Sequence, residues 1–206
     1  MTIDRIAGAV AATDPRSVAL SVTDRPEVLT ASKLSPLYTP LLAAAYAVHD
    51  RLHETDPAAL AAAAPRIRAI AASGESKVSA ALIAQLPALE IVSVMGVGYD
   101  GIDVAAARAR GVMVTHTPDV LNDDVADLAI GLMLGAARQL PQADRWVRDG
   151  KWLQGPMPLA RKMSGARLGL VGIGRIGQAI AQRALAFGMS VAYTARHARP
   201  DLPWRH

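Results

Sequence analysis

The chain has 206 residues, of which 51% are hydrophobic and 19% charged, and this balance excludes an intrinsically disordered protein. A formal net charge of +4, with no run of Lys or Arg and no alternation of basic and aromatic residues, argues against a nucleic-acid-binding protein. The absence of cysteine excludes disulfides and thiolate metal sites, and we predict no metal site of another kind.

Membrane insertion and export are not expected either. The longest apolar helix that the pattern predicts, residues 128–137, has about ten residues, whereas a membrane-spanning helix needs about twenty. Residues 1–14 carry Asp4 and Arg5 before a short apolar stretch, and they lack the basic start and longer apolar region of a signal peptide. We therefore expect a cytoplasmic protein without a membrane partner.

In the first half of the chain, short apolar strands alternate with Ala-rich helices. Asp56 fits the N-cap of a helix that opens at Pro57. Other helices are predicted at residues 41–46, 79–86 and 104–110, and strands at residues 17–22, 47–48, 67–72, 89–94 and 112–115. Such alternation predicts a parallel sheet with helices on both of its faces.

The longest predicted helix begins near Asn122. Asn122, Asp123 and Asp124 supply an N-cap and first-turn acids, which suit the positive end of the helix dipole. Apolar residues then recur at helical spacing: Val125, Leu128, Ala129, Leu132, Met133, Ala136, Ala137 and Leu140. We expect this helix to continue past Pro141 to Gly150, and residues 151–165 to form a linker.

A strand at residues 167–171, a glycine turn, a helix at 178–187 and a strand at 190–194 follow the linker. The turn fits the GxGxxG pattern of dinucleotide-binding proteins, with Gly172 for the tight turn, Gly174 for close approach to the pyrophosphate and Gly177 for helix–strand packing. Arg175 and Ile176, in the same turn, are also predicted to bind the cofactor, and the N-terminus of the helix that follows would face the phosphates. The alternative is a glycine-rich turn without a ligand.

The end of the second strand indicates which dinucleotide is bound. An NAD site usually places Asp or Glu there to bind the ribose 2′-hydroxyl, but no acidic residue occurs between Gln178 and Pro200. Arg196 is present instead, and a guanidinium attracts a 2′-phosphate. We therefore predict NADP as the cofactor, with NAD as a possible one; the alternative is that Arg196 is a solvated strand-end charge.

Three ordered runs of sequence resemble the D-isomer-specific 2-hydroxyacid dehydrogenases. Residues 94–103 resemble the Gly-Val-Gly-x-Asp-x-Ile-Asp signature of that family, residues 117–129 its entry to a long interdomain helix, and residues 148–152 the exit from it. The residues around Thr117 and the Arg-bearing second strand are most similar to the NADP-linked hydroxypyruvate and hydroxyphenylpyruvate reductases.

The resemblance implies an α/β fold with two domains. Residues 1–117 would be a flavodoxin-like substrate domain, residues 118–150 a long interdomain helix, and residues 151–206 an incomplete Rossmann domain. The backbone N–H groups of Gly96, Val97 and Gly98 would hold the substrate carboxylate, because glycines let the backbone approach an anion. Asn122 would lie near the nicotinamide, although a plain helix cap explains it equally well.

The resemblance also implies that the catalytic residues are not in this chain. The family uses an Arg, a Glu or Asp and a His from the later part of its dinucleotide domain, and we expect these residues beyond His206. Among the histidines present, His116 is the best placed for chemistry, at a strand end. The family often has a polar residue there that transfers no proton.

Three functions remain open at this point. The chain would be the front part of an oxidoreductase that transfers a hydride between NADP(H) and a small 2-oxo acid. Alternatively, it would be a non-catalytic, dinucleotide-responsive interaction module similar to the corepressors of this fold, or an inactive truncated product. The resemblance implies a homodimer formed through the long helix, and the coding sequence downstream of His206 would discriminate between the functions.

Overall fold

The fold is taken from a computed structural model, which describes residues 25–206. The strand predicted at residues 17–22 lies outside this range. The chain divides into two compact units, Met1–Thr117 and Pro118–His206.

The first unit is a five-stranded, fully parallel sheet with helices between its strands. The strands are β1 (Glu27–Thr30), β2 (Ala47–Asp50), β3 (Ile67–Ser73), β4 (Ile91–Met95) and β5 (Met113–Thr115). The helices are α1 (Thr39–Ala45), α2 (Leu52–Thr55), α3 (Pro57–Ala63), α4 (Ala80–Gln85) and α5 (Val104–Ala109). The strand order β2-β1-β3-β4-β5 is the flavodoxin-like doubly wound order, which confirms the predicted α/β fold class.

Local side chains start three of these helices. Asp56 accepts a hydrogen bond from the N–H of Ala59 at 2.9 Å, Ser79 from that of Leu82 at 3.3 Å, and Asp103 from that of Ala106 at 2.9 Å. Each such cap satisfies an N–H group that the helix leaves without a partner. The core of the unit is aliphatic, and its fully buried side chains include Leu29, Ile67, Ile70, Ile83, Leu86 and Val92.

The sequence did not predict β1 or the short helix α2. β1 has only four residues and begins with Glu27, a charged residue that would normally argue against a strand. In the structure its carboxylate is satisfied, since Arg66 and His49 both bind it. Val28 and Leu29 are then buried at 3% and 0% exposure, so that four residues suffice for a central strand.

The second unit contains two parallel strands and three α-helices. Its elements are α6 (Asn122–Ala137), α7 (Leu140–Arg148), a 3-10 turn (Lys151–Leu153), β6 (Arg167–Val171), α8 (Arg175–Leu185) and β7 (Ser190–Thr194). Side chains of α6, α8 and one face of the strands form a small core around Ile130, Ala184 and Met189.

The prediction of one helix from Asn122 to Gly150 is wrong. The helix stops at Ala137, and Gln139 takes a left-handed conformation with φ 55° before α7 begins at Leu140. Pro141 explains the break, because proline has no N–H to continue a helix but is tolerated in the first turn of a new one. The N-cap position is also shifted, since Leu121 occupies it and Asn122 is the first helical residue.

The described residues contain neither a membrane-spanning helix nor a metal-binding cluster. No helix within residues 25–206 is both long and apolar enough to cross a membrane. In the same range, no group of three or more His, Asp or Glu side chains is arranged to hold a metal ion.

The ion pairs of Glu27 make the stability of the first unit depend on pH. Burial raises the pKa of the Glu27 carboxyl, but hydrogen bonds from Arg66 and His49 outweigh it and bring the pKa below the usual 4.5. A carboxyl whose pKa is lower in the folded chain than in the unfolded chain stabilises the fold at pH values above its unfolded-state pKa. This contribution is lost as the pH falls through the folded-state pKa. We expect a loss of about 1 kcal/mol in the free energy of unfolding on acidification, measured by urea unfolding.

The matched variant Glu27→Gln should lack this dependence, whereas Glu75→Gln, at an exposed loop carboxyl, should retain it. An equal acid-induced loss in Glu27→Gln and in the unchanged chain would show that these ion pairs do not stabilise the unit.

Candidate functional site

The candidate residues fall into two groups, one in each unit. The first group is the loop of Gly96, Val97 and Gly98, which follows β4 at the carboxyl end of the sheet. Gly96 has φ 155°, and a Cβ added to it would come within 3.2 Å of the backbone nitrogen of Gly74. Only glycine fits that position without displacing a neighbouring backbone.

The carbonyl groups of Gly96 and Val97 in this loop are both bound on one side. The carbonyl of Gly96 accepts a hydrogen bond from the N–H of Thr117 at 2.9 Å, and the carbonyl of Val97 accepts one from Nδ1 of His116 at 2.9 Å. In a trans peptide the N–H points opposite to the C=O of the same unit. The N–H groups of Val97 and Gly98 therefore point away from residues 116 and 117.

Two adjacent N–H groups that point away from their neighbours can donate hydrogen bonds to the same anion. Within the described part of the chain, neither the N–H of Val97 nor that of Gly98 donates to a protein acceptor. Val97 is 37% exposed, so that solvent reaches the loop. A carboxylate can accept hydrogen bonds from both groups, and glycine on either side leaves room for it.

His116 acts on this loop through the Val97 carbonyl. Because a carbonyl only accepts, Nδ1 of His116 carries a proton, and the His116 and Tyr99 rings pack in a T-shaped arrangement with their centroids 4.8 Å apart. These contacts hold the imidazole against the loop.

The second group is the glycine turn between β6 and α8. Gly172 has φ 97°, and its N–H donates to the carbonyl of Thr194 in β7 at 2.8 Å. A Cβ added to Gly177 would lie 2.5 Å from the carbonyl oxygen of Gly172. The first turn of the helix thus packs directly on the strand exit, and this contact requires glycine at position 177.

The helix begins earlier than the sequence predicted, at Arg175 rather than Gln178, with Gly174 as its N-cap. The first intrahelical hydrogen bond runs from the N–H of Gln178 to the carbonyl of Gly174 at 2.9 Å. The N–H groups of Arg175, Ile176 and Gly177 have no intrahelical partner, as in the first turn of any α-helix. Together with the helix dipole, they favour a phosphate at this end.

Asp119 links two of the predicted cofactor-binding residues. Its Oδ1 accepts a hydrogen bond from the Asn122 amide at 2.8 Å and lies 3.1 Å from Nε of Arg175. Asp119 has φ 71°, which the sequence did not single out. Aspartate is one of the few residues other than glycine that tolerate a positive φ. The pair Pro118-Asp119 was therefore the sequence signal available for this conformation.

Arg183 fixes the helix of the glycine turn to α6. Its guanidinium binds the carboxylates of Asp127 and Asp123, and these hydrogen bonds raise the pKa of Arg183 above its usual value. The orientation of the turn relative to Asn122 is therefore set by contacts within the unit.

Arg196 lies just beyond the end of β7 and is exposed. With Val171, Gly172, Thr194 and Ala195 it lines a shallow depression beside the glycine turn. The nearest acid that follows, Asp201, is bound by Arg199 through two hydrogen bonds of 2.9 and 2.7 Å, which lower the pKa of its carboxyl. Among the described residues, Arg196 makes no ion pair, and its charge remains available to an anion in the depression.

The chain matches a known protein family and several of its members. Residues 28–199 match the sequence model described as the D-isomer specific 2-hydroxyacid dehydrogenase, catalytic domain. The chain is 49% identical over 140 residues to a glyoxylate/hydroxypyruvate reductase A of Arabidopsis thaliana, covering 68% of this chain and 45% of that protein. It is 41% identical over 180 residues to a 2-ketogluconate reductase of Gluconobacter oxydans, covering 87% and 57%.

A solved structure is similar to most of the chain. The NADPH-dependent glyoxylate/hydroxypyruvate reductase of Sinorhizobium meliloti, in complex with NADP and malonate, matches with a TM-score of 0.73 and 44% identity. The match covers 88% of this chain and 56% of that protein. The chain thus spans about half the length of the relatives that it matches.

Proposed function

The chain belongs to the family of D-isomer-specific 2-hydroxyacid dehydrogenases, which are oxidoreductases, and we propose that it supplies the front part of an NADP(H)-linked reductase of small 2-oxo acids. In this proposal residues 1–117 form the substrate domain, residues 118–150 the interdomain helical segment, and residues 151–206 the first part of the dinucleotide-binding domain.

The single observation that carries the proposal is the geometry of the glycine turn. The close approach of Gly177 to the Gly172 carbonyl, and a helix that starts at Arg175, are what a dinucleotide pyrophosphate requires. The residues fit the cofactor, because Gly172, Gly174 and Gly177 leave the space empty of side chains and the first-turn N–H groups supply donors.

The preference for NADP over NAD rests on charge. Arg196 borders the depression beside the turn, and the next acidic residue in the sequence, Asp201, is bound to Arg199. A 2′-phosphate would be attracted by Arg196, and none of the described residues that line the depression is a carboxylate that could accept a bond from a 2′-hydroxyl. The Sinorhizobium meliloti relative, which is 44% identical, was solved with NADP bound.

The substrate site that we propose is the loop of Gly96, Val97 and Gly98. The N–H groups of Val97 and Gly98 would hold the carboxylate of the 2-oxo acid, and His116 would keep the loop in position through the Val97 carbonyl. The bound cofactor supplies the hydride. The Arg, Glu and His that complete the chemistry in the family would come from the portion of the relatives that this chain does not cover.

A homodimer is the assembly that we propose. The helices α6 and α7 expose the apolar side chains Val125, Leu128, Leu132, Leu140 and Val147 at 41% to 64%. Monomers rarely leave so many large apolar groups on one segment uncovered, and a second copy of the chain would bury them.

The proposed activity can be tested with a chimera that joins this chain to the part of the Sinorhizobium meliloti reductase beyond the aligned region. We expect the chimera to oxidise NADPH with glyoxylate or hydroxypyruvate. The 206-residue chain alone should show no turnover and should bind NADPH only weakly, because it supplies only the first part of the dinucleotide crevice.

A chimera that folds, as judged by its circular dichroism, but shows no turnover with any 2-oxo acid would contradict the proposal. Submicromolar binding of NADPH by the chain alone would contradict the second expectation.

A further inference from the structure

Three serine hydroxyl groups meet at the carboxyl ends of β1 and β3. The Oγ of Ser32 lies 2.7 Å from that of Ser76 and 3.0 Å from that of Ser73. Ser76 is 2% exposed, whereas Ser32 and Ser73 are half-buried. The cluster therefore has a buried base and two members that solvent can reach.

The position of this serine cluster in the sheet is where a ligand is expected. In the order β2-β1-β3-β4-β5, the chain leaves β1 toward one edge and β3 toward the other, so that the topological switch point lies between β1 and β3. Open α/β sheets bind ligands outside the carboxyl ends of the strands at this point. Ser32 follows β1 and Ser73 ends β3, one on each side of the switch point.

The serine cluster is also next to the candidate carboxylate loop. Ser73 pairs in register with Met95, the residue before Gly96, and neighbouring strands lie about 5 Å apart. The backbone nitrogen of Gly74 lies 3.2 Å from where a Cβ of Gly96 would be. A molecule held at Val97 and Gly98 thus has the serine cluster beside it within the same unit.

The hydroxyl groups have hydrogen-bonding capacity left for a ligand. Ser76 accepts a hydrogen bond from the N–H of Ser73 at 2.8 Å and is bonded to Ser32, which holds it in place. The contact between Ser73 and Ser76 is the longest side of the triangle, at 3.4 Å. Each hydroxyl can donate one hydrogen bond and accept two, so that a ligand hydroxyl can take the place of this weak contact.

We infer that Ser32 and Ser73 are specificity-determining residues that bind a hydroxyl group on C3 of the 2-oxo acid, with Ser76 as their buried support. The inference rests on the proposed function, because it takes the carboxylate to be held at Val97 and Gly98. The next carbons of the substrate then lie beside the serine cluster, and a substrate with a C3 hydroxyl is preferred over one with a methyl group.

The test compares hydroxypyruvate with pyruvate, which lacks the C3 hydroxyl, by NMR titration of the amide signals of the 206-residue chain. Hydroxypyruvate should shift the amide signals of Ser73, Gly74 and Ser76 in addition to those of Val97 and Gly98. Pyruvate should shift only the amide signals of Val97 and Gly98. One or two added hydrogen bonds should make hydroxypyruvate bind about threefold to tenfold more tightly.

The double variant Ser32→Ala/Ser73→Ala should lose this preference while still binding both acids, and the control Ser35→Ala, at a hydroxyl outside the cluster, should keep it. Equal affinities of the unchanged chain for the two acids, with shifts at Val97 and Gly98, would overturn the serine assignment and leave the proposed function standing. No shift at Val97 or Gly98 with either acid would overturn the carboxylate site and the serine assignment with it.

Discussion

Replacing Gly177 by alanine should destabilise the Pro118–His206 unit by about 2 kcal/mol, although alanine is the better helix former. The added Cβ would lie 2.5 Å from the carbonyl oxygen of Gly172, closer than such atoms approach in real structures. Since Gly172 is itself held by Thr194 at 2.8 Å and has φ 97°, the strand exit cannot move aside freely. The helix must shift instead, and the turn opens.

The matched control is Gly131→Ala in α6. Gly131 is also helical, and a Cβ added to it meets nothing within 4 Å, so that the same substitution should stabilise the unit by about 0.5–1 kcal/mol. The three tryptophans, Trp146, Trp152 and Trp204, all lie in this unit, and their fluorescence reports its unfolding in urea. Equal changes in the two variants would mean that the contact of Gly177 with Gly172 has no energetic consequence.

Arg196→Glu should invert the preference between the two dinucleotides. The substitution removes a guanidinium that attracts the 2′-phosphate of NADPH and places there a carboxylate that repels it and accepts a bond from the 2′-hydroxyl of NADH. We expect the affinity for NADPH to fall by about tenfold to a hundredfold, while that for NADH stays the same or rises.

Amide-shift titrations with both dinucleotides measure this effect even where binding is weak. Arg145→Glu, at an exposed position of α7 far along the chain from the turn, makes the same change of charge and serves as the control. A similar loss of NADPH affinity in both variants would indicate a general effect of net charge, and the role of Arg196 would then have to be abandoned.

Local sequence signals predicted most of the regular structure. The helix cap at Asp56 was predicted, and the helices that Ser79 and Asp103 cap were predicted to begin at or next to those residues. Caps and apolar strands of this kind are determined by residues close in sequence. The glycine turn belongs to the same class, because its chemistry depends on spacing within six residues. The parallel arrangement followed from the alternation of strands and helices alone.

Features that depend on distant contacts were missed. β1 is stabilised by Arg66 and His49, residues 39 and 22 positions away from Glu27, and no local pattern reveals those partners. The serine cluster joins residues 41 and 44 positions apart. The break after Ala137 is different, since Pro141 is a local signal, and its effect on the helix outweighs the apolar periodicity that continues past it.

The most direct test of the dinucleotide site is a two-dimensional NMR titration of the unchanged 206-residue chain with NADPH. If the site is as we propose, the amides of Gly174, Arg175, Ile176 and Gly177 move earliest and furthest, with saturation well above micromolar concentration and a weaker response to NADH. Amides that stay fixed in this segment, or a response to NADH as strong as that to NADPH, would show that the turn does not hold the cofactor described above.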